Sequence, residues 1–369
     1  MRSRESARDA HRCSRCITTF LLADSQGPQS ELGSSMTNST MFIPTSSTRL
    51  AMLVVPFQVL LGWSTNTINI YVLSRPRLLR ASACAHYFLA IAIITFAVIC
   101  IGPFVQFVHF WYPLRTSIPV VGCPLFAYLS FYLPFEIITL LVLASWDRYC
   151  VSSTSADTRA WSSIRNARIA IITSAVVLAI AVSPYMALWH ENVDRGVVGC
   201  AQDMTFVLQL MTIAQAIIFH GLCPLTMLVF GLLTIRNIRK QRCRLQRTFR
   251  IVLHPSHQRR TEGELCRMLL LQVSIHMLLH LPATVIYTCL IMRPTLQTPT
   301  FRLAVHAFQL LYQCTYVINT ITYLASGQIY RREFQLVLSR VRRTCCSFFY
   351  RHEHRVAVES RVSSLRTYV

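Results

Sequence analysis

Long apolar runs with almost no charge are the sequence feature that most constrains the fold of this chain. Backbone N–H and C=O groups cannot stay unpaired in lipid, so an apolar run of about 20 residues crosses a bilayer as a helix. The sequence holds seven such runs, approximately Leu50 to Leu73, Cys84 to Phe110, Cys123 to Trp146, Ile164 to Leu188, Phe206 to Ile235, Leu265 to Met292 and Leu303 to Ala325. We therefore predict an all-α membrane protein built as a seven-transmembrane helix bundle.

The charge distribution agrees with a membrane location. Only 14% of the 369 residues are charged, whereas an average soluble domain has about 25%. A formal net charge of +21 would suggest nucleic-acid binding in a soluble protein. Here the arginines lie between apolar runs rather than in one stripe, so we expect them to face anionic membrane lipid and not nucleic acid.

The basic residues also predict the orientation, because cytoplasmic connectors are enriched in Lys and Arg. Basic residues concentrate after the first, third and fifth runs and in the tail, and the alternate connectors hold few. We predict an extracellular N-terminus and a cytoplasmic C-terminus. The predicted divisions are an extracellular, mostly disordered segment 1–48, a helical domain 49–326, an amphipathic juxtamembrane helix 327–340 and a disordered basic tail 341–369.

Two terminal features fit this orientation. Asn38-Ser39-Thr40 matches the N-glycosylation pattern. Met36, two residues before Asn38, is a candidate for the physiological translation start. Cys345 and Cys346 follow the predicted juxtamembrane helix, where cysteines are either palmitoylated or remain unmodified.

Ionisable residues inside a spanning run are costly and call for a reason. Asp147-Arg148-Tyr149 stands at the inner end of the third run, and Cys123 stands at its outer end. At about 1.5 Å per residue, the interval between Cys123 and Arg148 corresponds to one full membrane crossing. Taken alone, the triplet is also compatible with an arginine that reaches toward the lipid headgroups beside a neighbouring carboxylate.

Further motifs occur in a matching order. Asn66 lies in the first run, Pro224 in the fifth, Pro282 in the sixth, and Asn319-Thr320-Ile321-Thr322-Tyr323 in the seventh. Together with Asp147-Arg148-Tyr149 and Cys123, this arrangement resembles the rhodopsin-like (class A) G-protein-coupled receptors. The end of the fifth run and the short basic connector after it are similar to those of invertebrate neuropeptide receptors.

The resemblance implies roles for specific residues. It implies a disulfide between Cys123 and Cys200, for which a free buried thiol is the alternative. It also implies a plasma-membrane receptor that activates heterotrimeric G proteins by outward movement of helix six. The residues implied to form the coupling switch are Asp147, Arg148, Tyr149, Glu262, Asn319 and Tyr323, with Glu262 pairing with Arg148 at rest.

Several positions depart from the family pattern, and helix four lacks its usual tryptophan, with Ser174 or Ala175 near that place. Thr95 replaces the helix-two aspartate, His280 the helix-six tryptophan, and Thr320 the helix-seven proline. These departures put sodium modulation and the usual activation path in doubt.

The upper part of the bundle indicates the kind of ligand. Ser130 replaces the aspartate of amine receptors, and Gln313 stands where opsins carry their lysine; Lys240 is the only lysine in the chain. The remaining polar and aromatic candidates suit a neuropeptide or another polar small molecule, although each one fits helix packing equally well. The candidate pocket residues are Ser130, Phe131, His220, His280, Tyr287, Gln309 and Gln313.

Other functions are less well supported by the sequence. His276 and His280 have the spacing of two metal ligands on one helix face, which suggests an intramembrane metal-dependent hydrolase as an alternative. The intervening residues lack the glutamate base of a His-Glu-x-x-His motif. A transporter is a second alternative, but no internal repeat is apparent. We expect neither enzymatic activity nor a cofactor.

Glu136 lies in the middle of the third run. We interpret it as a structural hydrogen-bonding group, with a ligand or proton-sensing role as the alternative.

Overall fold

The structure is a computed structural model that describes residues 46–111, 122–194, 197–202, 205–248, 257–292, 298–326, 328 and 330–339. The predicted glycosylation site at Asn38 and the predicted palmitoylation sites at Cys345 and Cys346 lie outside these residues.

Six segments of the described chain are long and apolar enough to cross a membrane. They are Arg49–Leu73, Cys84–Val108, Gly122–Ser152, Ile164–Met186, Phe206–Gln241 and Cys266–Cys289. They correspond to the first six predicted runs, which are thereby confirmed as helical spans by length and composition. The chain is therefore a helical, multi-pass membrane protein.

The first half of the bundle consists of helices with short connections. Their bounds are α1 Ser46–Leu73, α2 Pro76–Ala81, α3 Cys84–Ile101, α4 Pro103–Trp111 and α5 Gly122–Ser152. The second predicted run is thus divided between α3 and α4. The division falls at Gly102-Pro103, where Pro103 has no N–H to continue the helical hydrogen bonding.

A short hairpin follows the fourth span. Helices α6 (Ala156–Ala160) and α7 (Ile164–Val182) lead through a 3₁₀ turn, Ser183–Met186, into β1 (Trp189–Asp194) and β2 (Val197–Gln202). The two strands pair antiparallel, with Glu191 opposite Cys200. This hairpin is a departure from the all-α prediction, because its pairing depends on contacts that helical periodicity does not reveal.

The fifth and sixth spans are longer than their apolar runs. The fifth contains α8 (Phe206–Gln215), a π-helical segment (Ala216–Leu222) and α9 (Cys223–Thr248). The sixth is α10 (His257–Met292), which includes Pro282. Single π turns inside helices often mark functional sites, and this one contains His220.

The predicted seventh run forms two shorter helices. These are α11 (Pro299–Gln313) and α12 (Thr315–Ser326), of 15 and 12 residues. Cys314 separates them, and its backbone N–H donates to the carbonyl oxygens of Leu310 and Leu311. Residues 330–339 beyond α12 are again helical.

The bundle is packed around α5, which contacts α3, α7 and α9. Its interior positions Leu140, Leu141 and Ala144 are fully buried. Large apolar side chains on the outside are exposed, among them Leu53 at 69% and Leu278 at 73%. Such an outer surface suits contact with lipid rather than water.

Candidate functional site

A buried ion pair lies near the C-terminal end of α5. Arg148 and Asp147 are only 3% and 5% exposed. Nε and Nη2 of Arg148 donate to Oδ2 of Asp147 at 3.2 and 2.6 Å. Because removing two charges from water is costly, a pair at this depth persists only where further hydrogen bonds satisfy both groups.

Two serines supply those further hydrogen bonds. Ser82, which follows α2, accepts from Nη2 of Arg148 at 2.9 Å. Ser162, which follows α6, donates to Oδ1 of Asp147 at 2.6 Å. The ion pair therefore links α5 to both connecting segments at this end of the bundle.

The remaining residues of the predicted switch at this end are placed differently. The ring of Tyr149 packs against Phe230 of α9, with centroids 5.7 Å apart. Glu262 lies within α10, but its side chain is outside the part of the chain that the structure describes. The proposed resting contact between Glu262 and Arg148 therefore stays a prediction.

A polar network connects α1 to α12 and to the helical residues 330–339. Nδ2 of Asn66 donates to the carbonyl oxygen of Tyr316 at 2.8 Å. Asn69, one turn later, accepts from Oγ1 of Thr320 at 3.0 Å and from the hydroxyl of Tyr330 at 2.5 Å. Burial raises the pKa of Tyr330, so its hydroxyl stays protonated and acts as the donor.

The network continues from α12 to α10. Tyr323 is fully buried, and its hydroxyl donates to Oε1 of Gln272 at 3.1 Å. Its ring meets Phe88 of α3 edge to face, with centroids 5.5 Å apart. Asn319 of the same motif is also buried. Tyr323 thus contacts the helix whose movement the family resemblance implies.

An aromatic cluster occupies the other half of the bundle. Phe131 stacks on Tyr185 with centroids 4.2 Å apart, and Phe135 stacks on Phe219 at 4.1 Å. Tyr287 packs against the same cluster. Of the predicted pocket residues, Phe131 and Tyr287 are therefore brought together.

Three histidines lie beside this cluster. The rings of His220 and His280 are 4.4 Å apart, and those of His276 and His280 are 5.1 Å apart. The ring of Tyr312 meets His280 edge to face at 4.3 Å. Among the described residues, no three His, Cys, Asp or Glu side chains are grouped so that they could hold a metal ion. The ring contacts therefore bring His220 of the π-helical segment next to His280 of α10.

The other predicted pocket residues are more dispersed. Gln313 is buried, and its Nε2 donates to Oε1 of Gln106 in α4 at 3.4 Å. Ser130 and Gln309 are half-buried, and neither forms a hydrogen bond with another described residue. The structure therefore groups His220 with His280 and places Phe131 and Tyr287 in one aromatic cluster.

The hairpin lies against the other end of α5. Cys123 is fully buried, and its Sγ is 3.6 Å from the carbonyl oxygen of His190 in β1. The register of the hairpin pairs the next residue, Glu191, with Cys200. The Cys200 side chain is outside the described part, so the disulfide stays a prediction.

Glu136 is a buried carboxyl group in the middle of α5. Its carboxyl group is almost completely buried, and its Oε1 accepts from the hydroxyl of Ser174 in α7 at 2.8 Å. The structural hydrogen bond predicted for this residue is confirmed.

Several residues that complete these sites were not singled out by the sequence. Ser82, Ser162 and Gln272 are ordinary polar residues until the fold brings them to Arg148, Asp147 and Tyr323. Asn69 had a detectable signal, because it lies three residues after Asn66 and therefore on the same helix face.

The chain matches no protein-family model, and a comparison with curated proteins finds no match.

We predict that Asn69→Ala lowers the free energy of unfolding by about 1 to 3 kcal/mol, because it removes the buried acceptor of the Tyr330 hydroxyl and one of the two acceptors of the Thr320 hydroxyl. Equilibrium unfolding of the purified protein in detergent measures the effect. Asn166→Ala is a matched control, since the Asn166 amide donates to a carbonyl at an exposed position. Equal stability of the Asn69 and Asn166 variants would contradict the network's role.

Proposed function

We propose that the chain is a cell-surface G-protein-coupled receptor of the rhodopsin-like class. The observation that carries this proposal is the buried Asp147–Arg148 pair near one end of α5, with Cys123 against the hairpin at the other end. A buried charge pair at a bundle end is a suitable two-state element, because a partner that competes for the arginine can replace its internal contacts.

The receptor class requires a seventh crossing, which we assign to α11 and α12 together. A hydrocarbon core of about 30 Å needs roughly 20 helical residues, and neither helix is long enough alone. The contacts of α12 with α1 through Asn66 and Thr320 support its inclusion in the bundle.

Residues 330–339 are proposed to form the amphipathic juxtamembrane helix. Tyr330 faces inward, whereas Leu338 is 57% exposed and is available to the bilayer surface. Oε2 of Glu333 lies 3.9 Å from Nε of Arg75, and Oε1 lies 4.0 Å from Nη1 of Arg77. These contacts hold the segment against the connector between α1 and α3.

In the proposed mechanism, an extracellular ligand binds beside the aromatic and histidine clusters and favours outward movement of α10. Tyr323 then loses its hydrogen bond to Gln272. Arg148 separates from Asp147 and contacts a heterotrimeric G protein. The ligand shifts the equilibrium only as far as its affinities for the two states differ.

The proposed ligand is a neuropeptide, with another polar small molecule as the alternative. Hydrogen-bonding side chains next to aromatic ones, as at His220, His280 and Tyr287, suit such ligands. The proposed orientation at the plasma membrane has the N-terminus outside and the C-terminus in the cytoplasm.

We further propose a disulfide between Cys123 and Cys200. Seven cysteines of the described part are free thiols, and Cys123 is not among them. The bond would fix the hairpin over the outer end of α5 and shape the entrance of the pocket.

A peptide-library screen with a promiscuous G-protein reporter tests the receptor proposal. We expect a response to one peptide family that disappears in Arg148→Ala at equal surface expression. Arg159→Ala, in the connector next to the ion pair, is the matched control and should keep the response. A response that survives Arg148→Ala would contradict the proposed coupling role.

A further inference from the structure

A groove opens between α9 and α10 at the Arg148 end of the bundle. Its volume is about 530 Å³, and its lining includes Ile235, Ile238 and Arg239 of α9 with Arg267, Leu271 and Ser274 of α10. The side-chain amide of Gln241 donates to the carbonyl oxygen of Ser152 at 3.0 Å, which places this part of α9 beside the end of α5.

The two helices are in close contact beside the groove. A Cβ atom built on Gly231 would lie 2.8 Å from Cδ2 of Leu270. Leu270 also lines the groove. Leu270 thus contacts the backbone of α9 at Gly231 and also lines the groove, so the two helices pack directly beside it.

The charged side chains that are described in the groove lining are both positive. Arg239 and Arg267 face it from opposite helices, and both residues are exposed. Among the described residues neither arginine forms an ion pair. No acidic residue is among the described side chains that line the groove. Two guanidinium groups on the same groove favour a ligand that carries negative charge.

Each of the two helices combines one arginine with mainly apolar residues at helical spacing. On α9, Leu228, Leu232, Ile235 and Arg239 have helical spacing, and on α10 the corresponding series is Arg267, Leu271, Ser274 and Leu278. Leu228 and Leu232 are 57% and 58% exposed, and Leu278 is 73% exposed. Each helix thus carries one exposed arginine and, at helical spacing from it, an exposed and mainly apolar surface.

We propose that this groove is a binding site for an anionic phospholipid. The phosphate lies between Arg239 and Arg267, and one acyl chain follows the apolar surfaces of α9 and α10. A lipid fits both halves of the site, whereas a soluble anion would leave the apolar half unused. The proposal requires that the chain lies in a membrane, and it does not depend on the proposed receptor function.

Native mass spectrometry of the purified full chain, titrated with phosphatidylglycerol or phosphatidylcholine, tests this site. We expect one phosphatidylglycerol to be retained more tightly than phosphatidylcholine. Arg239→Gln with Arg267→Gln should weaken that retention about 30-fold, because each basic residue near a lipid headgroup contributes on the order of 1 kcal/mol and every 1.4 kcal/mol is about tenfold.

The control removes the same charge from the same region. Arg236→Gln with Lys240→Gln neutralises two exposed residues of α9 that do not line the groove, and retention should stay close to that of the unchanged protein. Ser274→Trp fills the groove without changing its charge and should weaken retention as the arginine variants do. Because all these positions are exposed, unchanged elution volume serves as the check on folding.

Three results would overturn the proposal. One is equal loss of retention in the two charge-neutralised variants, which would indicate general surface attraction. Another is equal retention of the two lipids by the unchanged protein. The third is displacement of phosphatidylglycerol by an equal concentration of glycerol phosphate, which would identify a soluble-phosphate site.

Discussion

Asp147→Ala lowers the free energy of unfolding by about 3 to 5 kcal/mol, because it removes the carboxylate that accepts two hydrogen bonds from a buried arginine. Arg148 is 3% exposed, and two of its nitrogens donate to Asp147. Ser82 is a neutral acceptor for one of these nitrogens and does not replace the lost charge. Equilibrium unfolding of the purified protein in detergent measures the loss.

Two further variants separate the charge effect from general disturbance of this region. Ser162→Ala removes only a hydrogen bond to Asp147 and should cost about 1 kcal/mol. Replacing both charges, as Asp147→Ala with Arg148→Met, should recover most of the stability lost in the single variant, because both members of the buried pair are then removed together. If Asp147→Ala were no more destabilising than Ser162→Ala, the ion pair would not be the principal interaction at this end of α5.

The second large effect is expected at the opposite end of α5. Cys123→Ser and Cys200→Ser should each lower the free energy of unfolding by about 2 to 5 kcal/mol, the usual result of removing a native disulfide. The double variant should lose no more than either single variant, because one bond is removed in all three. Cell-surface expression and unfolding of the purified protein are the two measurements.

Cys100→Ser provides the matched control, because Cys100 is a free, half-buried thiol in α3. It should behave like the unchanged protein in both measurements. Losses that add in the double variant would show that Cys123 and Cys200 act separately, and the proposed disulfide would then be wrong.

The helices were predictable because the constraint that lipid imposes on an apolar run is local. The first six runs became spans, and α5 extended far enough to include Asp147-Arg148-Tyr149. Interruptions were less predictable. Pro103 explains the division between α3 and α4, but the break at Cys314 has no proline or glycine to signal it.

The candidate site was predictable only in part, because its partners depend on tertiary packing. Arg148 and Asp147 stood out as charges in an apolar run, whereas Ser82 and Ser162 acquire their roles only when two connecting segments meet α5. The hairpin strands were likewise missed, since a short strand pair between two spans leaves no helical period in the sequence. Conversely, the hydrogen bond of Glu136 was expected, because burying an unpaired carboxyl group is costly.

Membrane topology tests the central claim of seven crossings most directly. Epitope tags inserted beside Asn38 or after Cys345, in chains that keep all native cysteines, can be labelled with an antibody on intact and on permeabilised cells. The account predicts labelling near Asn38 on intact cells and labelling at Cys345 only after permeabilisation. Labelling of both sites from the same side would mean an even number of crossings and would contradict the account.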